Sequence, residues 1–234
     1  MKFNLAKLKG KPEIFYSIQG EGLNLGRPSI FIRGSFCNLH CSWCDTPYTW
    51  DWKKYDKKTE MMEIDLDAVL DCLQQWPCKN LVFTGGEPML QQPAWIELMG
   101  FLKPKNYYFE VETNGTLAIK PEFDLLVDQY NCSPKLKNSG NEKRGRETKY
   151  FKTYAKNPKA WFKFVVDTPQ DLEEVMGWAK TYSLTSDRIF LMPQGKTKKD
   201  INVRSKWLAD AAQKNGFRFS PRLHIDLWGD KRGV

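Results

Sequence analysis

Residues 29–46 of the chain read Ser-Ile-Phe-Ile-Arg-Gly-Ser-Phe-Cys-Asn-Leu-His-Cys-Ser-Trp-Cys-Asp-Thr. The first five residues of this stretch are mostly apolar or β-branched, which predicts a strand that leads into a loop. The loop carries Cys37, Cys41 and Cys44 at C-x3-C-x2-C spacing. Structural zinc sites and ordinary ferredoxin clusters take four protein ligands, so three thiolates predict a metal centre with one position open for chemistry.

Further apolar segments alternate with helical segments along the chain. Besides 29–33, strands are predicted at 80–83, 107–112, 124–127, 161–166 and 188–192, and helices at 66–76, 95–102, from Pro169 onward and at 201–214. About six strands that alternate with helices predict a parallel sheet with right-handed crossovers. A complete eight-fold barrel takes about 250 residues and more units than this chain offers. We therefore expect an α/β fold, a partial and open TIM-like barrel with its helices outside, in a single domain over residues 1–234.

Polar and glycine-rich motifs follow the predicted strands. In barrel folds the active site lies at the carboxyl ends of the strands. We therefore expect one active site, built from the cysteine loop and from Thr84-Gly85-Gly86-Glu87-Pro88, Glu112-Thr113-Asn114-Gly115, Ser133-Pro134-Lys135 and Met192-Pro193-Gln194-Gly195.

The composition is typical of a globular protein, with 41% hydrophobic and 27% charged residues. No run approaches the roughly 18 apolar residues that a membrane span needs. The first residues lack the apolar region and cleavage site of a signal peptide, and three of the six cysteines lie within eight residues. We therefore expect a cytoplasmic protein without disulfides, in which Cys72, Cys78 and Cys132 are small buried apolar residues.

The net charge of +8 favours acidic partners through long-range attraction. Much of this charge lies in a basic insertion at about 135–159, which contains Lys137, Lys143, Arg144, Arg146, Lys149, Lys152 and Lys156 together with Gly140 and Gly145. The favoured interpretation is a solvated, mobile loop. The alternatives are a contact surface for an acidic electron-transfer protein, a nucleic-acid contact, or a lid over the site.

The cysteine loop followed, one strand later, by Gly-Gly-Glu-Pro resembles the radical S-adenosylmethionine (SAM) superfamily. This resemblance implies a radical SAM core in which Cys37, Cys41 and Cys44 bind three irons of a 4Fe-4S cluster and SAM binds the fourth. Thiolates suit iron–sulfur clusters, and the short spacing lets one loop surround one cluster. Gly85 and Gly86 would let the backbone approach the ligand closely.

A zinc site is the alternative interpretation of the cysteine loop. His40 would complete a nominal set of four ligands, but neighbours such as His40 and Cys41 rarely point at the same metal. The rest of the chain offers only His224 as a further histidine. A zinc-containing module that binds nucleic acid through the basic insertion and the many aromatic residues is therefore a less favoured, non-catalytic alternative.

Segments near both ends of the chain resemble one family within the radical SAM superfamily. Residues 13–22, Glu-Ile-Phe-Tyr-Ser-Ile-Gln-Gly-Glu-Gly, and then Gly26-Arg27-Pro28 resemble the start of the 7-carboxy-7-deazaguanine synthase family. The motif Cys44-Asp45-Thr46 resembles a motif of the same family. Residues 227–234 resemble the C-terminal tail of some of its members. The alternative within the superfamily is a glycyl-radical-enzyme activase, which would share the cluster loop but has no need of residues 19–22.

The family resemblance implies a lyase of 7-deazapurine biosynthesis, the route to queuosine and preQ0. Such an enzyme converts 6-carboxy-5,6,7,8-tetrahydropterin to 7-carboxy-7-deazaguanine with loss of ammonia. A 5′-deoxyadenosyl radical derived from SAM does the chemistry, so no side chain is predicted to be catalytic. Mg2+ is implied as a further cofactor. A homodimer and an acidic electron donor such as flavodoxin or ferredoxin are implied as partners, with no direct contact to nucleic acid.

Seven residues are implied as substrate ligands: Ile18, Gln19, Gly20, Arg33, Thr84, Glu112 and Asn114. The planar guanidinium of Arg33 suits a carboxylate. Glu112 and Asn114 suit either the aminopyrimidinone edge of the substrate or a ribose. The alternatives are structural: a tight turn at 19–22, an arginine that reaches solvent, and a β-branched strand end at Thr84.

The same resemblance implies a SAM site made of Trp43, Asp45, Gly86, Glu87, Ser133, Pro134, Lys135 and Gln194. Trp43 would lie against the adenine, and Glu87 would accept hydrogen bonds from the methionine ammonium. Thr46 would ligate Mg2+ through its hydroxyl. The alternatives are a loop cap at Thr46 and a solvated side chain at Lys135. For His224 and the C-terminal tail, 221–234, a packed histidine and a frayed tail are favoured over contact with the substrate.

Overall fold

A computed structural model describes residues 1–141 and 149–234 of the chain. The strands are β1 (Lys2–Leu8), β2 (Lys11–Pro12), β3 (Ile14–Ile18), β4 (Pro28–Gly34), β5 (Met61–Asp65), β6 (Asn80–Gly85), β7 (Tyr108–Thr113), β8 (Gln129–Cys132), β9 (Ala160–Val166), β10 (Ile189–Pro193) and β11 (Arg218–Phe219). The α-helices are α1 (Lys57–Glu60), α2 (Leu66–Leu73), α3 (Gln92–Leu102), α4 (Pro121–Leu126), α5 (Phe151–Lys156), α6 (Pro169–Tyr182), α7 (Lys198–Asn215) and α8 (Leu223–Trp228).

Seven of these strands form a parallel sheet in the order β4-β6-β7-β8-β9-β10-β11. In the part of the chain that the structure describes, β4 and β11 do not pair with each other, so the sheet does not close. The fold is therefore the partial, open TIM-like barrel that the sequence predicts. Because its strands are parallel, the loops that follow β4, β6, β7, β8 and β10 emerge at one edge.

Five of the six predicted strands are present, but the strand predicted at 124–127 is wrong. These residues belong mainly to helix α4, which begins at Pro121. Proline is well suited to the first turn of a helix because its ring fixes φ at a helical value. Leu125 is 80% exposed, so its apolar side chain does not mark a buried strand. The strand of this unit is β8, which follows the helix.

Four strands that the sequence analysis missed lie at the N-terminal side of the sheet. β3 and β1 both pair antiparallel with β4, and β5 pairs antiparallel with β1, while β2 pairs with β1. The prediction relied on strands separated by helices, which identifies parallel units only. These added strands cover the edge of β4 that does not pair with β6. β3 leads into residues 18–22 at the side where the barrel is open.

The helices pack an aromatic core against the sheet. Trp95 of α3 contacts Phe3 and Phe83, with ring centroids 5.3 and 4.9 Å apart, and its Nε1 donates to Pro88 O at 2.9 Å. Asp65 caps α2, since its side chain accepts from Ala68 N at 3.1 Å. No helix within the two described ranges combines the length and apolar character needed to cross a membrane.

The described part of the basic insertion differs from the predicted mobile loop. Residues 149–159 include helix α5, in which Phe151 and Tyr154 are fully buried. The Phe151 ring packs on Phe162 and Trp178 at centroid distances of 5.3 and 4.7 Å. These aromatic residues draw the segment onto the core although lysines surround them. Lys143, Arg144, Gly145 and Arg146 lie outside the described residues.

Candidate active site

A cavity of about 260 Å3 opens at the carboxyl ends of the parallel strands. All but three of the predicted site residues line it: Ile18, Gln19, Gly20, Arg33, Thr84, Glu112, Asn114, Trp43, Asp45, Gly86, Ser133, Lys135, Cys37, Cys41, Cys44 and Thr46. The loops that follow β4, β6, β7 and β8 therefore converge on one space. The cysteine loop forms one wall, and the ends of β3, β4, β6 and β7 form another.

The three cysteines of the loop are suited to holding a cluster as thiolates. All six cysteines of the chain are free, so no disulfide competes for these sulfurs. Each of the three accepts a hydrogen bond from nitrogen: Cys37 from Leu39 N at 3.5 Å, Cys41 from Asn141 Nδ2 at 3.2 Å and Cys44 from Trp50 Nε1 at 3.4 Å. N–H donors stabilise negative charge on sulfur, so this set of residues fits an iron–sulfur cluster.

Burial governs the protonation of two of these thiols, Cys37 and Cys41. It raises the pKa of Cys37 to about 12, with a further contribution from the Glu87 carboxylate. Burial also raises the pKa of Cys41. Since metal ligation requires thiolates, assembly of a metal centre here releases protons.

The described residues give little support to the zinc alternative. Within 1–141 and 149–234, no group of three or more His, Cys, Asp and Glu side chains could hold a single metal ion. His40, the nominal fourth ligand, stacks on the Trp50 ring at a centroid distance of 4.2 Å.

The glycine pair after β6 holds the cysteine loop close to the sheet. Gly86 N donates to Gly34 O at 3.0 Å, and Glu87 N donates to Phe36 O at 2.8 Å. A Cβ at Gly86 would lie 2.0 Å from Phe36 O, and one at Gly85, where φ is +116°, would lie 2.2 Å from Gly34 O. Only glycine permits this approach of two backbones.

Three predicted SAM-binding residues do not line the cavity: Glu87, Pro134 and Gln194. Glu87 is 1% exposed and accepts hydrogen bonds from Thr113 Oγ1 at 2.7 Å and from Asn114 N at 2.7 Å. Burial raises its pKa despite these donors. Glu87 thus binds Thr113 at the end of β7 and Asn114 in the loop that follows, and its contact with SAM stays a prediction.

Pro134 lines a much smaller space beside Phe151 and Trp178. Gln194 continues the β9–β10 pairing, in which its backbone N donates to Val166 O at 2.9 Å. Neither residue therefore contributes to the wall of the main cavity.

A buried polar network supports the wall opposite the cysteines. Gln19 Nε2 donates to Glu110 Oε1 at 2.6 Å and to Glu112 Oε1 at 3.2 Å. Thr84 Oγ1 donates to Glu112 Oε2 at 2.6 Å. Three predicted substrate ligands, at the end of β3, in β6 and in β7, are thus joined by hydrogen bonds: Gln19, Thr84 and Glu112.

Glu110 was missed by the sequence analysis. It is fully buried behind the cavity and also accepts hydrogen bonds from Asn24 and Asn131. Burial raises the pKa of Glu110 to about 7, and the nearby Glu112 charge adds to the effect. The available signal was the spacing of Glu110 and Glu112, because residues i and i+2 of a strand lie on the same face of the sheet.

Arg33 presents its guanidinium to the cavity from the end of β4. Its Nε donates to Glu13 Oε1 at 2.8 Å. That is the one hydrogen bond found for this guanidinium among the described residues, so its two terminal nitrogens are left for a ligand. The negative groups near Arg33, including Glu13, raise its pKa although burial opposes this effect. Arg33 therefore carries a permanent positive charge.

A second ionic cluster closes the side of the cavity where the barrel is open. The carboxylate of Glu21 pairs with Lys163 and with Arg222, whose Nε lies 3.1 Å from Glu21 Oε1. Arg222 also donates to Asp45 and to the carbonyl of Gly195. Burial alone would raise the pKa of Glu21, but the charges of Lys163 and Arg222 outweigh it and hold that pKa far below its usual range.

Lys163, Arg222 and His224 line the cavity, and none of them was predicted as a site residue. A lone lysine within the apolar run Phe-Lys-Phe of β9 was a usable signal, whereas nothing in the sequence marks Arg222. His224 packs so closely that a Cβ at Gly20 would lie 2.3 Å from its Nδ1. The tail is not frayed, since it forms α8 and pairs Arg232 with Glu13 at 2.8 Å.

Comparison with known proteins supports the assignment of this cavity as a radical SAM site. A model of the radical SAM superfamily matches residues 31–136, from β4 to the end of the Ser-Pro-Lys motif. The fold and the cysteine-lined cavity therefore define a radical SAM enzyme, whose cofactors are a 4Fe-4S cluster and SAM.

Relatives of similar length identify one family within this superfamily. The 7-carboxy-7-deazaguanine synthase of Pyrobaculum aerophilum is 40% identical over 94% of this chain and 95% of its own length. That of Halobacterium salinarum is 32% identical over 93% of this chain and 90% of its own length. The chain therefore belongs to the 7-carboxy-7-deazaguanine synthase family.

Solved structures agree at the level of the fold. QueE from Escherichia coli superposes with a TM-score of 0.70 at 24% identity, covering 96% of this chain and 95% of its own. SuiB from Streptococcus suis, bound to its precursor peptide SuiA, gives a TM-score of 0.52 at 12% identity and covers 82% of this chain and 47% of its own. Both matches show a shared architecture.

Proposed function

We propose that this enzyme converts 6-carboxy-5,6,7,8-tetrahydropterin to 7-carboxy-7-deazaguanine with loss of ammonia. One observation carries the proposal: a single cavity is lined both by the three cysteines and by Arg33, Gln19 and Glu112. A centre that starts radical chemistry and a polar site for a flat heterocycle thus share one space. The names of the relatives support the same reaction.

Arg33 is suited to the carboxylate of the pterin. Its Nε is held by Glu13 at 2.8 Å, so the guanidinium is fixed in orientation before substrate arrives. The terminal nitrogens can then bind a carboxylate in a planar, two-point manner. The ring of Phe15, whose centroid lies 5.7 Å from the Arg33 Cζ, adds an apolar surface beside it.

The aminopyrimidinone edge of the pterin would meet the opposite network. A carboxylate such as Glu112 accepts hydrogen bonds from an amino group and a ring N–H. Thr84 and Gln19 hold this carboxylate at 2.6 and 3.2 Å, so it is oriented in advance. Ile18, Gly20 and Asn114 would complete the contacts from the same wall.

The SAM site would lie between the cysteine loop and the ends of β6 and β8. The cluster and SAM supply the one-electron chemistry that begins the reaction. Lys135 Nζ donates to Ser133 Oγ at 2.9 Å and lies 5.7 Å from the Trp43 ring centroid. These three side chains offer an ammonium, a hydroxyl and an aromatic face, which suit a carboxylate, a ribose and an adenine. Asp45 would contribute beside them, and Gly86 leaves room for the ligand.

Mg2+ and the protein partners are further parts of the proposal. Thr46 places its hydroxyl at the cavity beside the last cysteine, 3.9 Å from Cys44 Sγ, where a hard cation could take it as one oxygen ligand. An acidic electron donor such as flavodoxin or ferredoxin fits the net charge of +8. A homodimer is expected from the family resemblance alone.

An anaerobic assay tests the proposed reaction. Protein with a reconstituted cluster receives SAM, reductant and the carboxypterin, with and without Mg2+. We expect 7-carboxy-7-deazaguanine and ammonia in equal amounts, and less of both without Mg2+. Cleavage of SAM by an intact cluster without any deazaguanine product would overturn the assignment. Formation of a radical on an added partner protein would instead favour a glycyl-radical-enzyme activase.

A further inference from the structure

Part of the basic insertion braces the cysteine loop. Residues 138–141 run beside the loop and bind its backbone and side chains. Ser42 N donates to Ser139 O at 3.0 Å, and Trp43 Nε1 donates to Asn138 O at 3.1 Å. This segment is therefore a structural part of the metal site, although it begins the stretch that the sequence predicts to be a loop.

Asn141 ends this segment with its side-chain amide directed at a cluster ligand. Asn141 is 0% exposed, and its Oδ1 accepts a hydrogen bond from His40 N at 2.8 Å. The orientation of the amide is thus fixed, which turns Nδ2 toward Cys41 Sγ at 3.2 Å. A second contact of Nδ2, to Ser139 Oγ at 3.1 Å, holds the same orientation.

Trp50 directs a second donor at the cluster ligands. Its indole Nε1 lies 3.4 Å from Cys44 Sγ. The ring is held by the imidazole of His40, which stacks on it at 4.2 Å and an interplanar angle of 21°. Asn141 and Trp50 thus both contact His40 while each donates to a different cysteine.

We propose that Asn141 and Trp50 are positioning residues that raise the reduction potential of the cluster. Reduction adds one negative charge to the cluster and its thiolates, so an N–H donor stabilises the reduced state more than the oxidised one. The donors then ease electron uptake before SAM is cleaved. This inference rests on the cluster site and not on the pterin assignment, so the two can fail separately.

Redox titration of reconstituted variants tests the inference. Trp50→Phe removes the N–H and keeps an aromatic ring against His40. Asn141→Asp keeps the oxygen that accepts from His40 N, removes the donor to Cys41 and adds a negative charge, so its effect is judged against that of Trp50→Phe, which adds none. The fraction of reduced cluster is read by electron paramagnetic resonance at fixed potentials, without pterin. We expect the ratio of reduced to oxidised cluster to fall about tenfold in the double variant, which corresponds to about 59 mV.

Ser42→Ala is the matched control, because Ser42 lies in the same loop and its hydroxyl contacts Asn138 O at 3.5 Å without touching a sulfur. We expect its potential to match that of the unaltered protein. Should Asn141→Asp bind less than a full complement of iron, Trp50→Phe alone decides the question. The inference is wrong if Trp50→Phe leaves the potential unchanged, or if Ser42→Ala lowers it equally.

Discussion

The carboxylate of Glu13 lies 2.8 Å from the Nε of Arg33, directly behind the cavity wall. The other oxygen of Glu13 lies 2.8 Å from Arg232 in the C-terminal tail. One buried carboxylate thus joins the arginine proposed to bind substrate to a residue of the C-terminal tail that lies 219 positions after Glu13. The charge of Arg33 is balanced and its orientation is set from outside the substrate site.

Arg33→Lys tests the proposed carboxylate site. Lysine keeps the charge but cannot make the two parallel hydrogen bonds of a guanidinium. We expect kcat/KM for the carboxypterin to fall by about 10- to 100-fold, which corresponds to roughly 1.5–3 kcal/mol for hydrogen bonds to a charged group. Binding of SAM should not change. Arg218→Lys, an exposed arginine of β11, is the control and should keep full activity.

Glu13→Gln tests the buried link between the two arginines. Removing one partner of a buried ion pair leaves an uncompensated charge, at a cost of roughly 3–5 kcal/mol. We expect urea unfolding to show a loss of this size. Glu63→Gln replaces an exposed glutamate of β5 and should change stability by less than about 0.5 kcal/mol. Similar losses in both variants would contradict the role of the link.

Glu110 gives the stability of the protein a specific pH dependence. Its pKa rises from 4.5 in the unfolded chain to about 7 in the folded protein because burial disfavours the charged form. The unfolded chain therefore loses this proton first, and the contribution of Glu110 to stability falls as the pH rises from about 4.5 to about 7.

Urea unfolding of the native protein and of Glu110→Gln across this pH range measures the effect. We expect the native protein to lose up to about 3 kcal/mol relative to the variant as the pH rises, since one pKa unit corresponds to 1.36 kcal/mol. A difference between the two proteins that stays constant with pH would show that Glu110 keeps its charge.

Gly86→Ala tests the close contact between the end of β6 and the cysteine loop. The added methyl group would meet backbone, Phe36 O at 2.0 Å, so the loop must move. We expect a loss of stability of at least about 1–3 kcal/mol and a reduced iron content after reconstitution. Gly100→Ala in α3 is the control, because no atom lies within 4 Å of the new Cβ. It should gain roughly 0.5–1 kcal/mol.

Single alanine variants of Cys37, Cys41 and Cys44 test the count of three cluster ligands. Each should abolish SAM cleavage, because a cluster held by two thiolates loses iron. Cys72→Ala, Cys78→Ala and Cys132→Ala should retain the activity largely. Iron and sulfide content, measured beside SAM cleavage, distinguishes loss of the cluster from misfolding. Specific loss of iron in one of the second set would mean that the ligand count is wrong.

Five of the seven parallel strands could be predicted because they are apolar runs between helices. The other two, β8 and β11, were missed because they are short and carry few apolar residues. The motifs at the strand ends then follow from topology, since parallel strands bring their carboxyl ends to one edge. The antiparallel strands β1, β3 and β5 were missed because that logic identifies only strands joined by crossovers. The sequence also does not tell which polar side chains turn inward: Glu87 is fully buried and accepts hydrogen bonds from Thr113 and Asn114, while its contact with SAM stays a prediction.

The pairs that join distant segments could not be predicted either. Lys163 and Arg222 both meet Glu21, but they lie 142 and 201 residues away from it. The specificity of such pairs comes from the packed fold and not from a local pattern. The same limit applies to Arg232 and Glu13, which lie near opposite ends of the chain.

Arg222 and Asp45, which contact each other in the folded protein, are synthesised at different times. The two residues are 177 positions apart, and the cysteines precede Asp45. At roughly 5–20 residues per second, about 10 to 35 s of translation separate them. The cluster ligands therefore leave the ribosome well before the arginine that closes the side of the cavity, so the contact between Arg222 and Asp45 can form only after all three thiols have been synthesised.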